Sequence, residues 1–318
     1  MASTLESARV SSPARKPGFT KFAWIVLGWN VVVVLWGALV RATGSGAGCG
    51  NHWPLCNGAV LPPAPAMQTI IEFTHRLTSG LALIGVAALV IWALRAFPTG
   101  HLVRRFAWWS LFFILLEALL GAGLVLLQYV EQNASVGRAI YLSAHLANTQ
   151  LLLGVLALTA WFSRTPGSMH FSFGSPKLAG LLPVVLIVGI SGAIAALGDT
   201  LFPATSFAEG VRQEISSTAH FLLRLRILHP AFAIFSAVYV AFAALWIMKA
   251  KITSDATRLA WFAVGMTAIQ MIAGTINVFL LAPVWMQILH LFLADVLWVI
   301  LVLLVVEASA ARSRMLSG

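Results

Sequence analysis

Apolar residues fall in eight runs, each long enough to cross a bilayer, separated by short stretches carrying Gly, Pro and basic residues. The runs predict spans at 22–42, 69–94, 106–128, 138–162, 178–198, 218–248, 259–281 and 284–307. Each run is near-continuously apolar, without the two-residue alternation of a membrane barrel strand. A lone span must satisfy its own backbone hydrogen bonds, so every run is read as a helix. The expected fold class is all-α, a polytopic membrane protein.

The hydrophobic pattern also repeats. Gly37-Ala38-Leu39-Val40 on the first span matches Gly192-Ala193-Ile194-Ala195 on the fifth. Glu117 and Gly121 on the third match Gln270 and Gly274 on the seventh, and His75 and His145 match His229 and His290. The interval from histidine to the Glu/Gln position is 42 residues in one half and 41 in the other, which sets the register. Both halves begin and end on the same side, so the repeat is parallel. Two pseudo-symmetric four-helix bundles are expected, at 22–163 and 178–307, with a tail at 1–21, a linker at 164–177 and a second tail at 308–318.

Charge fixes orientation. The 318 residues are 60% hydrophobic and 9% charged, with a net charge of +10. Arg9, Arg15, Lys16, Lys21, Arg95, Arg104, Arg105, Arg164, Lys177, Lys249, Lys251, Arg258, Arg312 and Arg314, 14 of the 20 basic residues, fall on one side of an eight-span topology. Positive-inside bias places that side, with both termini, in the cytoplasm. The basic balance is thus topology, and nucleic acid is not an expected partner. The first span is too long for a cleaved signal and lacks a small-residue cleavage site. A bacterial cytoplasmic membrane is favoured over the mitochondrial inner membrane, because Glu6 is out of place in a transit peptide.

Histidine is rare inside spans because its ring is costly to bury without a partner. His75, His145, His229 and His290 each lie about 6–11 residues, or roughly 9–16 Å, from the outer end of an inward-running span. Interhelical hydrogen bonding explains any one of them. Four at matched depth, two per half, point to axial ligands of two haems. His52, His101, His170 and His220 are expected in loops or at a span edge, solvated. Cys49 and Cys56 in the first outer loop point to a disulfide, structural or redox-active, in an oxidising compartment. A zinc half-site with His52 lacks further ligands. The run Gly44-Ser45-Gly46-Ala47-Gly48 follows a membrane helix and is no nucleotide loop.

The segments Val40-Arg41-Ala42-Thr43-Gly44-Ser45-Gly46, His52-Trp53-Pro54-Leu55-Cys56-Asn57-Gly58 and Glu72-Phe73-Thr74-His75-Arg76 resemble the haem A synthase family over nearly the whole chain. The resemblance implies oxidation of a haem O methyl to a formyl group through a hydroxymethyl, with a resident haem b relaying electrons. Its expected partners are haem O synthase, an electron donor, cytochrome oxidase assembly factors, the lipid bilayer and a second copy of the chain. Some family members carry a second cysteine pair where this chain has Gly198-Asp199-Thr200-Leu201-Phe202-Pro203, so a mechanism needing two outer disulfides is in doubt.

The halves differ at one turn before the histidine, where Glu72 in the first is replaced by Arg226 in the second. A carboxylate suits proton transfer and an arginine suits a haem propionate. The first half, with His75, His145 and Glu72, is therefore expected to hold the substrate, and the second, with His229 and His290, haem b. An ion pair with Arg76 is the alternative role for Glu72. Arg41, Arg76, Arg224 and Arg226 are propionate candidates, with snorkelling as the plainer account. Glu117 and Gln270 are expected to bond between helices, and Asp295 is either a local polar contact or a relay member. The rival functions are a non-enzymatic two-haem electron carrier of the quinol-linked kind and a haem transporter or chaperone.

Overall fold

A computed structural model describes residues 16–164, 178 and 180–317, with the side chains of 311–317 left aside. Arg9, Arg15, His170 and Lys177 lie outside the described residues. The helices are α1 (Pro17–Ala42), α2 (Met67–Ala96), α3 (Leu102–Leu126), α4 (Val136–Phe162), α5 (Leu181–Leu201), α6 (Phe207–Ile215), α7 (Phe221–Arg226), α8 (Leu228–Ala250), α9 (Ser254–Phe279) and α10 (Val284–Ser317). Counting α7 and α8 as one, eight are long and apolar enough to cross a membrane. No strand forms among the described residues.

Local chemistry explains the ends. Pro17 opens α1, where its missing N–H costs nothing. Ser135 and Thr253 cap α4 and α9, accepting from the backbone N–H of Arg138 and Ala256. Ser206 and Glu209 mark the start of α6 as a capping sequence does: Ser206 Oγ accepts from Glu209 N, and Glu209 Oε2 from Thr205 N.

Three elements differ from the sequence expectation, the first being α6, which forms in a stretch where no helix was expected. The sixth span is broken at Ile227, because Pro230 has no N–H to offer the Arg226 carbonyl and its ring crowds that carbonyl. The eighth runs beyond 307, where a tail was expected, because Ala308, Ala310 and Ala311 favour helix and no Gly or Pro intervenes before 318.

Packing follows two closed circuits. In the first half α1 touches α2, α2 touches α3, α3 touches α4, and α4 returns to α1. In the second, α5 touches α8, α8 touches α9, α9 touches α10, and α10 returns to α5. The halves meet through α1 and α4 on one side and α5 and α10 on the other. The apolar core is uneven along the axis. Phe19, Ala23, Val86, Leu89, Leu153 and Leu156 are sealed toward the ends of their helices remote from the 43–66 loop. Val240, Ala244, Ile247 and Leu304 do the same in the second half. At the opposite ends the buried apolar cluster is small, formed by Ala139, Leu197 and Leu222, and that is where the four histidines stand.

Candidate functional site

Each histidine ring lies against a glycine of a neighbouring helix. A Cβ on Gly37 of α1 would stand 3.0 Å from Cε1 of His75, and one on Gly192 of α5 would stand 3.0 Å from Cε1 of His229. On Gly274 of α9 it would approach Cε1 of His290 to 2.9 Å, and on Gly121 of α3 it would lie 3.9 Å from Nε2 of His145. Gly37 and Gly192 are repeat equivalents, as are Gly121 and Gly274. The repeat thus preserves the histidine together with the space cleared for its ring. In the second half the rings of His229 and His290 have centroids 6.4 Å apart and planes at 87°.

The second ring nitrogens are treated differently. Nδ1 of His229 lies 3.1 Å from Ser191 Oγ, and Nε2 of His290 lies 3.4 Å from Gln270 Nε2. The buried Nδ1 atoms of His75 and His290 have no protein partner. Nδ1 of His145 stands 3.0 Å from Glu117 Oε1, though its N–H is not aimed along that line. Glu117 is held in turn by Thr149 Oγ1 and by Asn148 Nδ2 at 2.5 Å. Two half-buried imidazoles per half, some ring nitrogens left without protein acceptors and a glycine behind each ring are a donor set that fits a haem iron.

Beside His75 the loop joining α1 and α2 is clamped to α2. Cys49 and Cys56 form the expected disulfide, Cα atoms 4.4 Å apart and both side chains buried. The bond uses both thiolates that a zinc half-site with His52 would need. Glu72, 3% exposed, accepts from Cys49 N at 2.8 Å and pairs with Arg76 Nη2 at 2.5 Å. Arg76 Nη1 donates to the carbonyls of His52 and Leu55, each at 2.7 Å. Thr69 Oγ1 donates to the Gly48 carbonyl, and a Cβ on Gly48 would fall 2.5 Å from the Gln68 backbone. Gly48 is there for close approach.

The other arginines are also engaged. Arg41 Nη1 donates to the Ala196 carbonyl and Thr200 Oγ1, and Nη2 to Gln287 Oε1, each at 2.7 Å. Arg226 lies between Asp199 at 2.7 Å and Glu214 at 2.6 Å, while exposed Arg224 donates to the Ser217 carbonyl. His52 is exposed, whereas His101, expected in solvent, is buried at the start of α3. His101 Nδ1 accepts from Val103 N, and burial lowers its pKa from the usual histidine value. His220 begins α7 in the same way, its ring against Phe202 and Phe221.

Sequence reading missed three residues. Arg138 is buried and ties down the α3–α4 loop through the Glu131 and Asn133 carbonyls. Gln150 donates to Asp295 Oδ1 at 2.8 Å, and Trp298 Nε1 donates to the Gln150 carbonyl, both where α4 crosses α10. Gln150 and Asp295 each follow a histidine by five residues, so the repeat register could have flagged the pair.

The chain matches the COX15-CtaA family, described as a cytochrome oxidase assembly protein, over residues 20–302. Two Thermus thermophilus proteins called protoheme IX farnesyltransferase are 50% identical to it over 291 residues, 90% of this chain and 48% of theirs. A haem A synthase of Exiguobacterium sibiricum is 33% identical over 165 residues, 51% of this chain and 54% of its own length. One from Halalkalibacterium halodurans is 42% identical over 127 residues, 40% of this chain and 42% of its own. The chain spans about half the length of the curated relatives it matches.

Proposed function

Because the chain belongs to the COX15-CtaA family of cytochrome oxidase assembly proteins, we propose that it is a haem A synthase. Its substrate is haem O, whose ring methyl is oxidised to a hydroxymethyl and then to a hydrated aldehyde that loses water to leave the formyl group. The observation that carries this reading is the set of four histidines, each backed by a repeat-equivalent glycine in the half of the molecule the core leaves open.

His75 and His145 hold the substrate haem, and His229 and His290 hold haem b. The rings of the second pair, 6.4 Å apart, are close enough that both would hold one iron. When bound, haem b supplies the one-electron chemistry that protein side chains lack. Glu72 accepts a proton at the substrate, while Arg76 and the disulfide loop exclude water beside His75. Arg224 and Arg41 keep N–H groups free for propionates, and Arg76 and Arg226 are already neutralised by carboxylates. The two contact circuits support the division into bundles at 22–163 and 178–307.

The Thermus relatives are named for farnesyl transfer to protohaem IX, and we place that class of enzyme beside this chain as the source of its substrate. Eight apolar helices and bacterial relatives support a bacterial membrane as its location, and its basic loops support a cytoplasmic side for both termini. The test is pigment extraction after expression with a source of haem O. Haem A or the hydroxymethyl form in the purified protein is expected; haem b alone would leave the electron-carrier reading standing.

A further inference from the structure

The halves differ at three positions that act together. Glu117 on α3 faces Nδ1 of His145 at 3.0 Å and is gripped by Asn148 and Thr149, three and four residues further along α4. In the second half these positions are Gln270, Leu293 and Ala294. The carboxylate and both groups that fix it are present in one half and absent from the other. An interhelical tether alone does not need an acid: Asn148 Nδ2 also donates to the Phe113 carbonyl of α3, at 2.9 Å. A carboxylate inside a membrane span is costly, and one set 3.0 Å from a histidine nitrogen marks a use.

We propose that Glu117 is a positioning residue for His145, making that imidazole the stronger electron donor, and that Gln270 leaves His290 the weaker one. The inference rests on the two-haem reading above. A carboxylate beside the far nitrogen of a ligating histidine fixes the ring and raises its basicity. A more basic ligand stabilises the oxidised iron, which carries one more positive charge, and so lowers the reduction potential at that site. The first-half haem then sits below the second, and one electron leaving the substrate half reduces the second-half haem. The protein thereby gives its two similar sites a direction.

Potentiometric titration of the purified, haem-loaded full chain, followed by absorbance, tests the proposal. The His229→Ala variant assigns the first-half component. Glu117→Gln should raise the first-half midpoint and leave the second unmoved, and Gln270→Glu should lower the second-half midpoint. Thr149→Val, which keeps the acid but loosens it, should shift the first-half midpoint in the direction of Glu117→Gln and by less. Potentials unmoved by both swaps overturn the proposal while leaving the two-haem reading intact. If Glu117→Gln does not fold, Gln270→Glu decides alone, and an unmoved second-half midpoint is fatal. A wild-type first half that never takes up haem would instead defeat the reading beneath.

Discussion

Glu72 sits at the meeting of two roles that one substitution separates. Its carboxylate anchors Cys49 N and pairs with Arg76, one turn from His75. Glu72→Gln keeps the volume and an acceptor for Cys49 while removing the charge. That variant should fold, retain haem in the second half and accumulate haem O or its hydroxymethyl form in extracted pigment. Near-normal haem A would return Glu72 to a purely structural part. The glycines make a graded series at the same scale. Gly37→Ala, Gly192→Ala and Gly274→Ala place a Cβ at 2.9–3.0 Å from a histidine ring, and overpacking of that kind costs about 1–3 kcal/mol. Gly121→Ala, with 3.9 Å, meets ordinary contact. Haem absorbance per purified protein should fall in the first three and hold in the fourth; equal behaviour of all four would break the link between glycine and ring.

The break between α7 and α8 sets where His229 stands. Pro230 denies the Arg226 carbonyl a helical partner, so His229 begins a new helix instead of continuing an old one. Pro230→Ala restores that N–H and tends to straighten the joint. Stability should change by no more than about 1 kcal/mol, whereas the spectrum of the second-half haem should shift. An unchanged spectrum would mean the kink has no part in placing the ring. At this scale the sequence was mostly readable. Eight apolar runs were enough to count the spanning helices, because a span must be long and helical whatever surrounds it. The α7–α8 break was missed, although Pro230 within the expected 218–248 span is its cause. The buried place of His101 was not legible, since a histidine at a span edge looks the same in sequence whether the neighbouring loop folds over it or not.

The whole molecule is joined by polar contacts between positions that the repeat makes equivalent. Arg41 donates to the carbonyl of Ala196, its counterpart across the repeat, and Gln150 donates to Asp295, its own counterpart. Removing one member should cost more than removing both. Gln150→Leu leaves the fully buried Asp295 without its donor, at about 1–3 kcal/mol. The double replacement Gln150→Leu with Asp295→Leu should recover most of the loss. Thermal unfolding in detergent measures both, and a double variant no better than the single one would contradict the account. The sequence alone determined the class, the eight spans, the repeat and the candidate histidines, because each follows from local composition, period or spacing along one chain. Only the tertiary structure decided that Glu72 and Arg76 grip the disulfide loop, that a glycine backs each histidine and that Glu117 faces His145 where Gln270 faces His290. Those depend on which face each helix turns toward its neighbour, and lipid-spanning helices that are apolar all round carry no periodic stripe from which to read that face.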